Sequence, residues 1–252
     1  MNIMFKTYRN DLKQLLCELG RLGAIAVKSE FEEEAADYAQ AQILKDTAKE
    51  CGLKFMLKIG GCSAFRDIKD AKQLDADIIV APMVESAYAL KKFIKGANLY
   101  GIADKKLCIS IETAQALKNS AEIFQTPEFS QIAAVIFGRT DFGRSMRAGR
   151  SFADSDECCG YAKKLCKKLS GYGTKMLAGG TVTPESVDFL KKLCEFENFF
   201  GFETRKIVFG KQSISQIAIL KALEFEILWL KTLDNPEAYA RIESLEQRLS
   251  AL

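Results

Sequence analysis

The chain has 252 residues, of which 48% are hydrophobic and 27% are charged, so it can bury a substantial core. The net charge of +3 is small and dispersed, without the Lys/Arg blocks of nucleic-acid-binding proteins, and it is compatible with a small anionic ligand. Histidine is absent, which excludes a Ser-His-Asp triad, a Cys-His dyad and a zinc site built on His-Glu-x-x-His.

The predicted elements alternate between short apolar strands and amphipathic or alanine-rich helices. Leucines at helical spacing predict a first helix over residues 7–22, and residues 24–27 form the first predicted strand. Further strands are predicted over residues 54–59, 77–81, 107–111, 133–137, 175–178, 199–204 and 206–209. Further helices are predicted over residues 32–50, 64–73, 85–94, 114–119, 157–169, 183–195, 213–233 and 237–249.

This alternation, with short connections, is typical of a parallel sheet covered by helices. No Gly-x-Gly-x-x-Gly follows the first strand, and no Gly-x-x-x-x-Gly-Lys-Ser/Thr loop is present, so a closed barrel is favoured over an open doubly wound sheet. We predict an α/β fold, a TIM (β/α)8-type barrel with extra N- and C-terminal helices, as one domain over residues 1–252. Residues 235–252 are predicted to form a terminal helix that packs on the barrel or on a neighbouring subunit. The eighth strand is the least regular part, because the last two candidate strands are closely spaced.

The N-terminal helix carries charges through its apolar positions, so it lacks the uninterrupted core of a signal peptide. Elsewhere no apolar run approaches the roughly 18 residues of a membrane span, and we expect a cytoplasmic protein without a membrane partner. The eight cysteines show no Cys-x-x-Cys pair. We expect reduced thiols that fill core space rather than disulfides or a structural zinc site.

Two of the predicted strands end in carboxylates. Residues 107–111 precede Glu112, and residues 133–137 lead through three further residues to Asp141. Because parallel strand ends meet at one edge of a barrel, these carboxylates are expected to lie close together. Two carboxylate oxygens suit a hard cation, and the absence of histidine favours Mg²⁺ or Mn²⁺ over zinc. The alternative is that both are solvated loop acids.

Lys58, at the end of another apolar strand, has three interpretations. It binds a substrate carboxylate, it forms a Schiff base after burial lowers its pKa, or its ammonium extends to solvent.

The run Gly-Arg-Thr-Asp-Phe-Gly-Arg over residues 138–144 is predicted to form a tight turn whose backbone N–H groups bind a carboxylate. The predicted substrate-binding residues are Gly138, Arg139, Thr140 and Arg144. Arginines recur every three residues at Arg144, Arg147 and Arg150, and they either face an anionic tail of the substrate or form a solvated loop.

Taken together, these segments resemble the HpcH/HpaI aldolase/citrate lyase family of pyruvate- and phosphoenolpyruvate-handling barrels. The matching segments are Ile111-Glu112-Thr113 with Asn119 and Glu122-Ile123, the run over residues 136–142 with Ser145, and more loosely residues 80–85 and 27–30. The resemblance covers roughly residues 24–180.

The resemblance implies a Mg²⁺ or Mn²⁺ site on Glu112 and Asp141, with a small-molecule 2-oxo acid or acyl substrate chelated there. The implied reaction is cleavage or formation of a carbon–carbon bond through an enolate. A metal at the keto oxygen would stabilise the developing negative charge. The resemblance also implies a homo-oligomer.

Two positions depart from the family pattern. The family commonly has an Arg at the strand end where this chain has Lys58, and an ammonium cannot reproduce the planar two-pronged contact of a guanidinium. Some members use a His base that this chain lacks, and Glu30 or Glu85 is our candidate for that base. By its matching position, Glu30 is equally a candidate for a residue that orders a metal-bound water. Two other functions fit the same barrel: a Schiff-base aldolase that uses Lys58, and a protein that binds a small acid without turning it over.

Overall fold

The computed structural model describes residues 3–34, 36–233 and 235–250. Within these residues, eight strands close into one barrel in sequence order. The strands are β1 (Ala24–Glu30), β2 (Lys54–Lys58), β3 (Ile78–Ala81), β4 (Lys106–Ile111), β5 (Ile132–Gly138), β6 (Lys175–Gly179), β7 (Phe199–Glu203) and β8 (Ile207–Gly210). The predicted closed α/β barrel is therefore confirmed.

Helices connect the strands and cover the outside of the barrel. They are α1 (Ile3–Arg21), α2 (Tyr38–Glu50), α3 (Phe65–Gln73), α4 (Ala87–Tyr100), α5 (Ala114–Lys118), α6 (Ser120–Phe124), α7 (Arg139–Ser145), α8 (Asp156–Ser170), α9 (Val187–Leu193), α10 (Gln216–Lys231) and α11 (Pro236–Ser250). In the part of the chain that the structure describes, no helix has the length and apolarity that a membrane crossing needs.

The last strand departs from a regular (β/α)8 barrel. Strands β1 to β7 pair in parallel, whereas β8 runs antiparallel to both β7 and β1. The last two predicted strands, which are closely spaced in the sequence, thus form a hairpin, in which Thr204 N–H donates to the Ile207 carbonyl at 2.9 Å. The hairpin tip, with Arg205, lies at the same edge as the carboxyl ends of the other strands.

Side chains on the strands alternate between two cores, as the pleat requires. Those pointing outward pack against the helices, and Leu57, Ile109 and Phe137 are fully buried there. Those pointing inward fill the barrel with a separate apolar cluster, formed by Ala26, Met56, Val80, Cys108, Ala134, Ile136, Leu177 and Val208. This inner cluster makes the barrel a filled core with an apolar floor below its carboxyl-terminal opening.

Helix α2 begins later than predicted. Its N-cap is Asp37, whose side chain accepts from the Gln40 N–H at 2.8 Å while the Gln40 side chain accepts from the Asp37 N–H. This capping box fixes the helix start. The preceding glutamates, predicted as the first helical turns, instead pair with cations near the barrel mouth, as Glu32 does with Lys58.

The expectation that all cysteines are reduced is wrong. Cys17 of α1 and Cys51, which caps the end of α2, form a disulfide across a sequence separation of 34. The two helices pack side by side and bring the sulfurs together, which a search for closely spaced cysteines does not detect. The other six cysteines are free, and Cys108, Cys158 and Cys166 are buried, as expected of thiols that fill core space.

The C-terminal helix packs on the preceding one. Residues Ala238, Ile242 and Leu245 of α11 are buried, and Arg241 of α11 donates to Glu226 of α10 at 2.9 Å. Contact with a neighbouring subunit, the other possibility raised by the sequence, stays a prediction.

Candidate active site

A cavity of about 370 Å³ opens at the carboxyl-terminal end of the parallel strands. Its walls carry charged side chains from several strands, and Val80 and Ile136 form part of its apolar floor. The charged and polar groups on the strands and their ends include Lys28, Glu30, Lys58, Ser110, Glu112, Asp141 and Glu203. Cavities of this size at this edge of a barrel are typical binding sites for small molecules.

Strand alternation accounts for three of these positions. Lys28, Lys58 and Ser110 each lie two positions after an inward-facing apolar residue, so they point into the barrel one layer higher. Lys28 follows Ala26 on β1, and Lys58 follows Met56 on β2. On β5, Ile136 is followed in the same way by Gly138, which carries no side chain and leaves space for Glu112.

Glu112 and Asp141 enter the cavity from neighbouring strand ends. Glu112 is only 4% exposed, and its Oε1 accepts from the Met83 N–H at 3.0 Å. Burial raises the pKa of Glu112 above its usual range, against the opposing charge of Lys58. The charge of Asp141 acts in the same direction as burial, which shows that the two carboxylates repel one another.

Gly138 makes room for Glu112. A Cβ atom at position 138 would lie 2.6 Å from Glu112 Oε2 and 2.7 Å from Glu112 Cβ, which is too close for any other residue. The predicted contact of Gly138 with a substrate stays a prediction, while its packing against Glu112 is explicit.

The two carboxylates fit a hard divalent cation by their donor chemistry. Their oxygens are the ligands that Mg²⁺ and Mn²⁺ prefer, and a cation between them would remove the mutual repulsion that helps to raise the pKa of Glu112. Among the described residues, no group of three or more His, Cys, Asp or Glu side chains is placed to hold a metal. The remaining ligands would therefore be water and substrate.

Lys58 lies between two carboxylates. Its Nζ is 2.6 Å from Glu32 Oε2 and 3.7 Å from Glu112 Oε1. Burial alone would lower the pKa of Lys58, but the charges of Glu112 and Glu30 outweigh it and raise the pKa. Lys58 is thus held as a cation at the cavity wall.

A second ion-pair group lies in the barrel beside the first. Lys28 Nζ is 2.6 Å from Glu203 Oε1 and 2.8 Å from Glu30 Oε1, and all three residues are more than nine-tenths buried. Burial would lower the pKa of Lys28, but the charges of Glu203 and Glu30 overcome it and raise the pKa. The sequence places Lys28 and Glu203 at strand ends, but nothing in it pairs them.

Arg139 is fully buried. Its Nε donates to the Gly179 carbonyl at 3.0 Å, its Nη2 donates to the Gly180 carbonyl at 2.9 Å, and its Nη1 donates to the Ala153 carbonyl at 3.0 Å. The same Nη1 lies 2.5 Å from Asp154 Oδ1. The guanidinium thus joins the loop after β6 to the segment before α8, and the substrate contact predicted for Arg139 would compete with these bonds.

The expectation of a tight turn over residues 138–144 is wrong, because residues Arg139–Ser145 form helix α7. Asp141 lies in its first turn and accepts from Arg144 at 3.0 Å. Thr140 lines the cavity, and its hydroxyl lies 2.7 Å from that of Thr181. Thr140, Asp141 and Arg144 are therefore brought together at the mouth.

The other predicted positions are spread more widely. Glu85 is not among the described residues that line the cavity, and its carboxylate accepts from the Thr113 hydroxyl behind the β4 end. Arg147 is exposed outside the cavity lining, and the Arg150 side chain lies outside the described residues. Conversely, Arg241 and Glu226 of the C-terminal helices line the cavity, and no sequence signal pointed to them.

Comparisons with known proteins agree with this fold. The family model described as HpcH/HpaI aldolase/citrate lyase matches residues 32–167, more than half of the chain. A search of the curated proteins found no match.

Solved structures that are similar to the chain come from the same family and from a citrate synthase. An HpcH/HpaI aldolase from Desulfitobacterium hafniense DCB-2 is 13% identical with a TM-score of 0.63, over 78% of this chain and 82% of that one. A family protein from Burkholderia cenocepacia J2315 is 10% identical with a TM-score of 0.63, over 84% and 88%. The citrate synthase SbnG is 12% identical with a TM-score of 0.62, over 76% and 81%. At these identities the likeness is one of fold.

Proposed function

The chain belongs to the HpcH/HpaI aldolase/citrate lyase family, and from this membership and the site we propose that it is a divalent-metal-dependent carbon–carbon lyase acting on a 2-oxo acid. The observation that carries the proposal is the placement of Glu112 and Asp141 at neighbouring strand ends of one cavity, with the cationic Lys58 beside them. The paired carboxylates and the ammonium together suit a substrate that carries a carboxylate and a keto oxygen.

Glu112 and Asp141 would hold Mg²⁺ or Mn²⁺. When bound, the cation would stabilise the negative charge that develops on the keto oxygen during bond cleavage. Glu112 is held for this role by the Met83 N–H, and Gly138 allows its close approach to β5.

Lys58 would bind the carboxylate of the substrate. The ion pair with Glu32 and the raised pKa keep Lys58 charged, and a charged ammonium is an ion-pair partner but not a nucleophile. These features favour substrate binding over the Schiff-base alternative, which needs a neutral amine.

The cavity floor would exclude water from the reacting carbon atoms. Val80 and Ile136 lie below the charged layer and are nearly inaccessible to solvent. Inside such a dry site, electrostatic interactions with the substrate are stronger than in bulk water.

The test uses a panel of 4-hydroxy-2-oxo acids, with release of the shorter 2-oxo acid as the readout. We expect release in Mg²⁺ or Mn²⁺, no release in chelator, and recovery when the metal is restored. The Glu112→Gln variant should be inactive, and Glu157→Gln, an exposed position on α8, is the matched control. Full activity in chelator would contradict the proposal, and tight pyruvate binding without any turnover would favour a barrel that only binds a small acid.

A further inference from the structure

Glu203, at the end of β7, has one carboxylate oxygen anchored and the other unpartnered. Its Oε1 lies 2.6 Å from Lys28 Nζ. Its Oε2 is buried and has no hydrogen-bond partner among the described residues, although the side chain lines the cavity. Glu203 is only 6% exposed. A buried carboxylate oxygen without a hydrogen-bond partner destabilises the folded protein unless a ligand pairs with it.

The neighbouring strand leaves room for this side chain. A Cβ atom at Gly179 of β6 would lie 3.1 Å from Glu203 Cγ and 3.2 Å from Glu203 Oε1. Glycine at position 179 therefore relieves crowding around the anchored carboxylate.

Glu30, the other carboxylate on Lys28, is in a different situation. Its Oε1 lies 2.8 Å from Lys28, and its Oε2 lies 4.0 Å from Arg205 Nη1, so both oxygens face cations. Burial would raise the pKa of Glu30, but the charges of Lys28, Lys58 and Arg205 outweigh it and lower the pKa to about 2. A carboxylate with so low a pKa is a poor proton acceptor near neutral pH.

We propose that Glu203 is the residue that transfers the proton in the reaction of this site, in the role that our sequence analysis gave to Glu30 or Glu85. The inference rests on the proposed lyase function. Glu85 does not line the cavity, and both oxygens of Glu30 lie within 4.0 Å of a cation. Glu203 lines the same cavity as Glu112 and Asp141, and one of its oxygens has no partner among the described residues.

The proton-transfer step balances without a further reactant. In the cleavage direction, Glu203 Oε2 takes the proton of the substrate hydroxyl, the carbon–oxygen double bond of the leaving carbonyl fragment forms, and the carbon–carbon bond breaks. The electron pair of that bond becomes the enolate of the 2-oxo acid. The enolate carbon then takes the proton back from Glu203, which regenerates the carboxylate.

The groups around Glu203 support this assignment. Lys28 on β1 holds Oε1 in place and remains charged, so it is an anchor and not a competing acid. Cys108 on β4 lies deeper in the barrel, and burial followed by the charge of Glu203 raises its pKa to about 12. The thiol therefore stays protonated and does not compete as a base.

The experiment measures exchange of the methyl protons of pyruvate in heavy water with Mg²⁺, followed by NMR, which isolates proton transfer from bond cleavage. Binding of oxalate with Mg²⁺, measured by calorimetry, reports the rest of the site. For Glu203→Gln, which keeps an oxygen for Lys28, we expect exchange to slow by about 100-fold or more. Oxalate affinity should change by less than about threefold. In Glu203→Ala, added formate should restore part of the exchange.

The comparison variant is Glu30→Gln, which likewise removes one of the two carboxylates that pair with Lys28. It should slow exchange less than Glu203→Gln does. If the neutral variants fold poorly, Glu203→Asp replaces them, because it keeps the negative charge on a shorter side chain. Pyruvate proton exchange in Glu203→Asp should be about tenfold slower than in the wild type. Wild-type exchange in Glu203→Gln or Glu203→Asp would overturn the inference, and so would loss of oxalate binding without formate rescue. If the wild-type protein neither exchanges pyruvate protons nor binds oxalate, the proposed function itself fails.

Discussion

The ammonium of Lys58 lies 3.7 Å from Glu112 Oε1, so the chain places a cation directly beside one of its two candidate metal ligands. The same ammonium is 2.6 Å from Glu32. A divalent cation bound at Glu112 would repel Lys58 and leave it paired with Glu32 or with the carboxylate of a substrate. The ammonium would therefore link the proposed metal site to substrate binding.

Lys58→Met should lower the rate of pyruvate release by about 100-fold, because the substrate carboxylate loses its cation. Lys58→Arg should retain more activity than Lys58→Met because it keeps the charge. Borohydride reduction in the presence of pyruvate should leave the mass of the protein unchanged. A trapped pyruvate adduct on the peptide that contains Lys58 would show the Schiff-base mechanism instead.

Arg139→Met should lower the free energy of unfolding by about 3–5 kcal/mol, because it leaves Asp154 and the loop carbonyls without their buried donor. Urea denaturation measures this change. Arg144→Met is the control for stability, since the Arg144 side chain is 67% exposed and its loss should cost less than about 0.5 kcal/mol. Equal stability of the two variants would show that the Arg139 bonds contribute little.

The disulfide predicts that alkylation of the denatured, unreduced protein modifies six of the eight cysteines. Cys17→Ser should lower the free energy of unfolding by about 3–4 kcal/mol, as expected for a closed loop that spans 34 positions. Cys194→Ser, at an exposed free thiol, is the control. Eight modified cysteines would contradict the disulfide.

The lowered pKa of Glu30 predicts that the stability of the protein depends on pH. Its pKa in the folded protein is lowered to about 2 from an ordinary value of 4.5, so its stabilisation is complete above about pH 4.5 and is lost as the pH falls toward 2. Glu30→Gln should therefore be less stable than wild type at pH 7, and the difference should shrink in acid. Urea denaturation over a pH series measures the difference, and a gap that stays constant down to the lowest folded pH would be inconsistent with this assignment.

The placement of the two candidate metal ligands at one edge of the barrel could be predicted from the sequence because the signal is local. An apolar run followed by a carboxylate identifies β4 with Glu112 and β5 with Asp141, and the parallel order of the strands brings the two ends together. The closed barrel follows from the same strand and helix alternation.

The rest of the site depends on contacts between distant parts of the chain. Lys28 and Glu203 are 175 positions apart, and Arg241 reaches the cavity only because α11 packs over α10. Arginine side chains usually lie at the surface, but the tertiary structure buries Arg139 among carbonyl oxygens. The antiparallel β8 could not be predicted from spacing alone, since two close apolar runs fit either one long strand or a hairpin.

Binding of Mn²⁺, followed by the electron paramagnetic resonance signal of the free ion, tests the central claim most directly. The wild-type protein and the exposed control Glu157→Gln should bind Mn²⁺ equally, whereas Glu112→Gln and Asp141→Asn should each weaken binding by more than about tenfold. Equal binding of Mn²⁺ by all four proteins, or no binding by the wild type, would contradict a metal site on Glu112 and Asp141.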